Sequence, residues 1–313
     1  MKKSTKIILP GAAGLVGQNL IVLLKQKGYQ NIVAIDKHPK NVAILKSLHP
    51  DITVIENDLA VDNSWQDAVT EGSVVVMLQA QIGAKDATPF YRNNIESTRR
   101  VLEVAEKNKI EYLVHISSSV VESVGEDDYT KTKKDQEAMV AKTSLAHCIL
   151  RPTLMFGWFD RKHLGWLSRF MQKAPLFPIP GSGRYMRQPL YVLDFCHIII
   201  ACLEQQPDRK VYNITGKEQI DYIDIIRQIK KAVHAKTLIV RIPYALFWVL
   251  LTVYALFDKD PPFTTSQLKA LTAGDEFELI PWWDIFGVKP TPLQTALYDT
   301  FNDPTYSKVI LDF

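Results

Sequence analysis

IILPGAAGLVGQNLIVLL, residues 7–24, can be read in two incompatible ways. With MKKSTK in front of it, the stretch has the basic start and apolar core of an export signal. Such a signal needs an uninterrupted apolar segment and a small-residue cleavage site. This run is broken by Pro10 and by three regularly spaced glycines, Gly11, Gly14 and Gly17. The spacing therefore predicts a strand, a nucleotide-binding turn and the first turns of a helix.

In PGAAGLVGQ each glycine has its own expected duty. Gly11 permits a sharp turn, Gly14 lets the backbone approach a pyrophosphate with no Cβ in the way, and Gly17 allows helix and strand to pack closely. The helix N-terminus offers free N–H groups and partial positive charge to the phosphates. Ala13, Leu15 and Val16 lie in the same turn and are expected cofactor contacts. Asp36 supports the reading, since it ends a second apolar run nineteen residues after Gly17. A carboxylate there accepts bonds from the adenosine ribose hydroxyls and repels a 2′-phosphate, which predicts NAD over NADP. Asp58 and Leu59, in NDL after a third run, are candidates for the adenine edge, with plain turn duty the competing reading of the aspartate.

Short apolar runs recur at KIIL (6–9), NIVAID (31–36), ITVIE (52–56), VVVML (74–78), YLVHIS (112–117) and HCILRP (147–152). Their near-continuous hydrophobicity suits a parallel sheet covered by helices on both faces. Helices are predicted over 14–27, closed by Gly28, and over 93–109 and 130–142, where apolar positions recur three and four apart. The second half is less regular, with proline-rich loops at 175–189 and 261–262 and a helix expected over 222–234. This pattern predicts a nucleotide-binding α/β domain over 1–153, with 188–215 returning to it through VYNIT (211–215). A smaller, interleaved substrate lobe takes 154–187 and 216–313.

With 313 residues, 47% hydrophobic and 23% charged, the composition is that of an ordinary globular chain. A net charge of +3 without a long Lys/Arg block argues against a nucleic-acid partner. Cys148, Cys196 and Cys202 are odd in number, lack CxxC spacing and sit among apolar residues. They read as small buried hydrophobes in a reducing cytoplasm. The histidines are scattered without metal-ligand spacing, so no metal is expected. One segment stands apart: IPYALFWVLLTVYALF, 242–257, has sixteen residues and no charge. A transmembrane helix needs about 20 residues, so a buried helix is the favoured expectation and a helix lying against a membrane surface the alternative.

ISSSVV (116–121) follows the fifth run, and Tyr129 and Lys133 follow as a Tyr-x-x-x-Lys pair. On a helix these positions share a face. A free tyrosine, with a pKa of about 10, is a weak base at neutral pH, and a nearby lysine charge favours the phenolate. A tyrosine so adjusted can exchange a proton with a substrate hydroxyl while a nicotinamide exchanges a hydride. A serine from the run would hold the same oxygen. Ser119 is the expected residue and Ser118 the fallback.

With these parts in place, the sequence resembles the extended short-chain dehydrogenase/reductases, in particular the NAD-dependent epimerase/dehydratase family acting on nucleotide sugars. GAAGLVG is similar to that family's glycine motif, VVMLQAQIGA to its strand-four segment and NNIESTRRVLEVA to its following helix. RPTLMFG and GSGRYMRQPLYVLD resemble two further family segments. The resemblance implies a Rossmann-type doubly wound sheet and Asn94 as a structural and active-site asparagine. It implies Gln79, Ala80 and Ser117 along the cofactor, and Arg151 to Thr153, with Pro152, near the nicotinamide. It also implies that Arg187 faces the substrate pyrophosphate, together with Ser118 and Ser119 as substrate contacts, and a homodimer through helices within 88–109 and 129–143. The C-terminal part, with IPYALFWVLL and FGVKPTPLQTAL, is more similar to the 3β-hydroxysteroid dehydrogenase-like branch and to the dehydrogenase-like accessory subunit of respiratory complex I. The activity implied is oxidation of a secondary alcohol on a nucleotide sugar by Tyr-Lys-Ser chemistry with NAD. The alternatives are a dehydrogenase of a sterol- or lipid-like alcohol at a membrane surface and a non-catalytic nucleotide-binding subunit.

Overall fold

Ile7, Ile8 and Leu9 are wholly buried, as expected of an apolar run with no polar face to present to water. With Pro10 they form β1 (Ile7–Pro10), in the interior of a seven-stranded sheet. The other strands are β2 (Ile32–Asp36), β3 (Thr53–Glu56), β4 (Val74–Met77), β5 (Tyr112–Ile116), β6 (His147–Pro152) and β7 (Lys210–Ile214). Their order is β7-β6-β5-β4-β1-β2-β3, with every pair parallel. The chain leaves β3 at one edge and returns at β4 beside β1, so the order reverses there. A crevice outside the carboxyl ends of the strands is the expected ligand position at such a switch point. This computed structural model describes all residues except 62, 124–126, 258–263, 275–276 and 313.

One face of the sheet is covered by α1 (Leu15–Gln26) and packs through Leu20, Leu24, Phe195, Ile199 and Trp282. The other packs through Trp65, Val101, Ala105 and Val140. α2 (Pro39–Leu48) has no counterpart among the sequence expectations, because its ten residues bury only Asn41, Val42 and Leu45. Pro39 and the His38 side chain, which accepts from the Asn41 N–H, start it instead. The helix expected over 93–109 opens as a π-helical stretch, Tyr91–Glu96, before α3 (Ser97–Lys107). α4 (Asp128–Lys142) follows β5, capped by the Asp127 carboxylate on the Thr130 N–H.

The second lobe begins after β6 with α5 (Leu164–Lys173). α6 (Val192–Gln205) packs back on α1, and its chain continues into β7 in the main sheet. Beyond it, α7 (Tyr222–Ala232) packs on α5 and on the C-terminal helix Leu293–Asn302 around Phe156, Phe177, Ile226 and Leu297. Among the described residues three small sheets lie outside the main one: parallel pairs of Met155–Phe156 with Leu190–Tyr191 and of Leu176–Pro180 with Leu238–Ile242, and an antiparallel pair of Met186–Arg187 with Ile220–Asp221.

α8 (Tyr244–Phe257) overturns the favoured reading of the uncharged segment. Leu246, Trp248, Val249, Leu250, Val253 and Tyr254 are all exposed, and Leu256 reaches 79%. Only Phe247 and Leu251, one turn apart, are half-buried among its described side chains. The two sheet faces and the lobe core pack through other elements. Among the described residues, no helix is long and apolar enough to cross a membrane.

Candidate active site

The glycine turn brings the carboxyl ends of β1 and β4 together. Gly11 has φ +82°, and a Cβ there would meet the Gln79 backbone nitrogen at 2.4 Å. At Gly17 a Cβ would strike the Ala12 carbonyl at 2.3 Å, so this glycine sets the approach of α1 to the turn. Gly14 is different: its nearest neighbour would be the Gly11 oxygen at 3.6 Å, an ordinary contact. Nothing inside the chain demands glycine at 14, and the space its side chain would fill lies at the N-terminus of α1, where Gly14 is the N-cap without a side-chain cap. That is the place for a pyrophosphate.

Two further features fit a dinucleotide. Both amide atoms of Gln79 and the Ser117 hydroxyl are enclosed and have no hydrogen-bond partner among the described residues. A buried group left unpaired costs about 1–3 kcal/mol, a cost that a ligand's polar groups can offset. Asp36, at the end of β2, accepts from the Ala13 N–H at 3.0 Å and from the His38 N–H at 3.0 Å. Burial pushes its carboxyl above the usual range, while the N–H groups of His38, Ala13 and Lys37 pull the other way. Asp58 is engaged otherwise: Arg92 lies 2.6 Å away, Lys37 lies 3.5 Å away, and the Ala60 N–H bonds its second oxygen. Leu59 beside it is buried, and Ala80 is exposed next to Gln79.

α4 carries Tyr129 and Lys133 on one face, beside the end of β5. The Ser118 side chain lies beside the Tyr129 phenol and favours its ionised form. Ser119 instead starts a short 3₁₀ turn, Ser119–Glu122, for which Ser118 is the cap. The geometry thus brings together Ser118 and Tyr129, the fallback serine rather than the expected one. Three consecutive hydroxyls cannot be ranked in sequence; here Ser117 is buried and the turn begins at Ser119.

Burial dominates the electrostatics of the pair. It pushes the Tyr129 phenol above its ordinary value, opposed by Ser118 and reinforced by the Asp127 charge. Lys133 is wholly buried, and loss of hydration lowers its pKa to about 7, with the Glu137 charge acting in the opposite sense. Its Nζ donates to the Ile116 carbonyl at 2.9 Å. Burial is the larger influence on both groups.

Asn94, in the π-helical stretch, is fully buried. Its amide donates to the Gln81 carbonyl at 3.2 Å and to the Thr132 hydroxyl at 2.9 Å, and accepts from the Gln81 N–H at 2.6 Å. It joins the loop after β4 to α4 one residue from Lys133. Neither Gln81 nor Thr132 is among the expected site residues; Thr132 could have been found from its place inside YTKTK. Arg151, expected near the nicotinamide, is held by two carboxylates. Its fork holds Glu137 at 2.6 and 2.9 Å, and its remaining arm reaches Glu122 at 2.9 Å. Pro152 ends β6 and is buried, and the Thr153 hydroxyl donates to the Gln188 carbonyl at 3.3 Å. Arg187 lies in the second lobe and donates to the Leu271 carbonyl of α9 (Thr265–Ala273). Among the described residues, no cluster of His, Cys, Asp or Glu is arranged to hold a metal ion.

A doubly wound parallel sheet with a glycine turn at its switch point, and a Tyr-x-x-x-Lys helix beside it, defines a dinucleotide-binding protein of the extended short-chain dehydrogenase/reductase type. The chain belongs to the NAD-dependent epimerase/dehydratase family, whose model matches residues 7–215. Its cofactor is NAD. Among its relatives is the Escherichia coli O157:H7 N-acetyl-alpha-D-glucosaminyl-diphospho-ditrans,octacis-undecaprenol 4-epimerase, 24% identical over 77% of this chain and 76% of that protein. Another is the Mycobacterium tuberculosis 3 beta-hydroxysteroid dehydrogenase/Delta 5→4-isomerase, 24% identical over 72% of this chain and 69% of that protein. In fold the chain is similar to UDP-glucuronic acid 4-epimerase from Bacillus cereus, solved in complex with NAD. That likeness has a TM-score of 0.72 and 22% identity, and covers 95% of this chain and 98% of that one.

Proposed function

We propose that the protein oxidises a secondary alcohol of a nucleotide sugar, as the first half of an epimerisation or as a net dehydrogenation. The observation that carries the reading is the approach of Ser118 to Tyr129, one helical turn from the buried Lys133 and beside the β5 end of the switch-point crevice. When bound, NAD supplies the acceptor for the hydride leaving the alcohol carbon. Tyr129 takes the hydroxyl proton, and Ser118 holds the oxygen through a hydrogen bond. Lys133 is a positioning group whose charge, when present, favours the phenolate. Asn94 fixes α4 against the loop after β4, keeping Gln79 and Lys133 in register. Gly14, the α1 N-terminus and Asp36 hold the pyrophosphate and adenosine ribose, and Arg187 is the cation of the second lobe for a substrate phosphate. The family implies a homodimer through the faces of 88–109 and 129–143, to be tested by light scattering.

Incubation with NAD and a panel of nucleotide sugars tests the reading. NADH absorbance or a converted sugar is expected, and Tyr129→Phe should abolish either while leaving NAD binding intact. A second reading is favoured by the exposed apolar α8 in the substrate lobe and by the kinship to the steroid enzyme, namely that the alcohol is carried on a lipid. Silence on every nucleotide sugar, with turnover of a sterol or polyprenyl-linked substrate, would replace the first reading with the second.

A further inference from the structure

Residues 225–257 contain five Lys or Arg, namely Arg227, Lys230, Lys231, Lys236 and Arg241, and no Asp or Glu. In a chain balanced overall at 37 basic against 34 acidic residues, this is a strong local asymmetry. It coincides with the run of exposed apolar side chains on α8. We propose that this face docks on an anionic lipid surface, with α8 lying in the plane of the bilayer below the headgroups and the cations at their level. The proposal goes beyond the reading of the active site and holds for either substrate class.

α8 has fourteen residues, about 21 Å at 1.5 Å per residue, too short for a hydrocarbon core of about 30 Å. It is apolar on every side. Its one hydroxyl outside the aromatic rings, on Thr252, bonds back to the Trp248 carbonyl at 2.9 Å. A helix apolar all round belongs in an apolar medium, yet here it touches its own protein mainly through Phe247 and Leu251. Tyr244, Trp248 and Tyr254 are exposed along it, the residue types that settle at the boundary of lipid and water. In the strand pair whose second strand leads into α8, Leu238 and its register partner Leu176 are also exposed.

Three of the cations gather just before α8 in the chain. Arg227, Lys230 and Arg241 line a groove with Ile223, Ile239 and Val240. Asp224 holds Arg227 at 2.7 Å. Among the described residues no carboxylate is paired with Lys230 or Arg241. Basic residues beside an apolar helix suit anionic phospholipid. The same charges argue against a second copy as the occupant, because a twofold interface places each patch opposite itself and would confront cation with cation.

Flotation of the full chain with phosphatidylcholine vesicles, with and without phosphatidylglycerol, tests the proposal. Partition into the anionic vesicles should be roughly tenfold or more above the neutral ones, and should weaken as salt is raised. Lys230→Glu/Arg241→Glu should lose the anionic preference. Leu250→Glu/Val253→Glu should lose flotation with both vesicles while keeping its circular dichroism and NAD affinity, since both positions are exposed. Failure of the wild type to float with either vesicle would overturn the proposal, as would undiminished flotation of the Leu250→Glu/Val253→Glu variant. A dimer that this variant turns into a monomer, with no vesicle binding by the wild type, would assign α8 to a copy-to-copy contact instead.

Discussion

The Lys133 ammonium donates to the Ile116 carbonyl at 2.9 Å, in a pocket where the lysine has no solvent exposure. One carbonyl does not replace hydration, so its pKa falls from 10.5 to about 7. Below pH 7 both folded and unfolded chains carry this proton, and the burial penalty is present in full. Above it the unfolded chain still binds the proton while the folded one releases it. Folding stability therefore rises with pH, by about 1.4 kcal/mol per unit, up to the unfolded value. Urea unfolding at pH 7 and pH 9 should show the wild type gaining stability relative to Lys133→Met. An unchanging difference would mean that the folded lysine keeps its charge.

Ser118 and Ser119 should separate cleanly. Ser118→Ala removes the hydroxyl that meets the Tyr129 phenol, and kcat should fall about 10²-fold, the usual loss of one positioned donor. Ser119→Ala touches the 3₁₀ turn and should stay within a few-fold of wild type. Rates on the substrate identified by the nucleotide-sugar panel decide this, and the reverse ranking would return the role to Ser119.

The glycines of the turn should divide by what a methyl group meets. Gly14→Ala meets only an oxygen at 3.6 Å, so thermal stability should change little while NAD affinity drops. Gly17→Ala drives a Cβ to 2.3 Å from the Ala12 carbonyl and should cost about 1–3 kcal/mol by overpacking. Thermal melts paired with NAD titrations read both effects. A Gly14→Ala variant that binds NAD normally would remove the phosphate role from that position.

The sheet was legible in the sequence because strands buried on both faces must be apolar throughout, and each of the six expected runs overlaps a strand to within a residue at either end. The glycine spacing was legible for a similar reason, since steric exclusion at Gly11 and Gly17 leaves no other residue. α8 was misread because a run without charge says that a segment avoids water and not which apolar partner it meets. The ion pairs of Arg151 were not legible because its motif carries no trace of Glu137, on α4, or of Glu122, in the 3₁₀ turn, which only the fold brings to it. Asn94 was named from resemblance alone; its partners Gln81 and Thr132 depend on the π-helical offset, which has no simple sequence period.

The Arg151–Glu137 pair ties the end of β6 to α4 one turn beyond Lys133, with the two side chains 22% and 12% exposed. Breaking such a pair from one side leaves a partly buried charge alone and should cost about 3 kcal/mol. Arg151→Met or Glu137→Met alone should therefore destabilise strongly, whereas the double variant should recover much of the loss. Glu137→Gln also removes a charge that favours protonated Lys133, and should move the lysine titration below about 7. The alkaline gain in stability would then begin at lower pH. A double-mutant cycle by urea unfolding measures the coupling. Single losses that simply add would show that Arg151 and Glu137 act independently and that α4 is held in place by its apolar face alone.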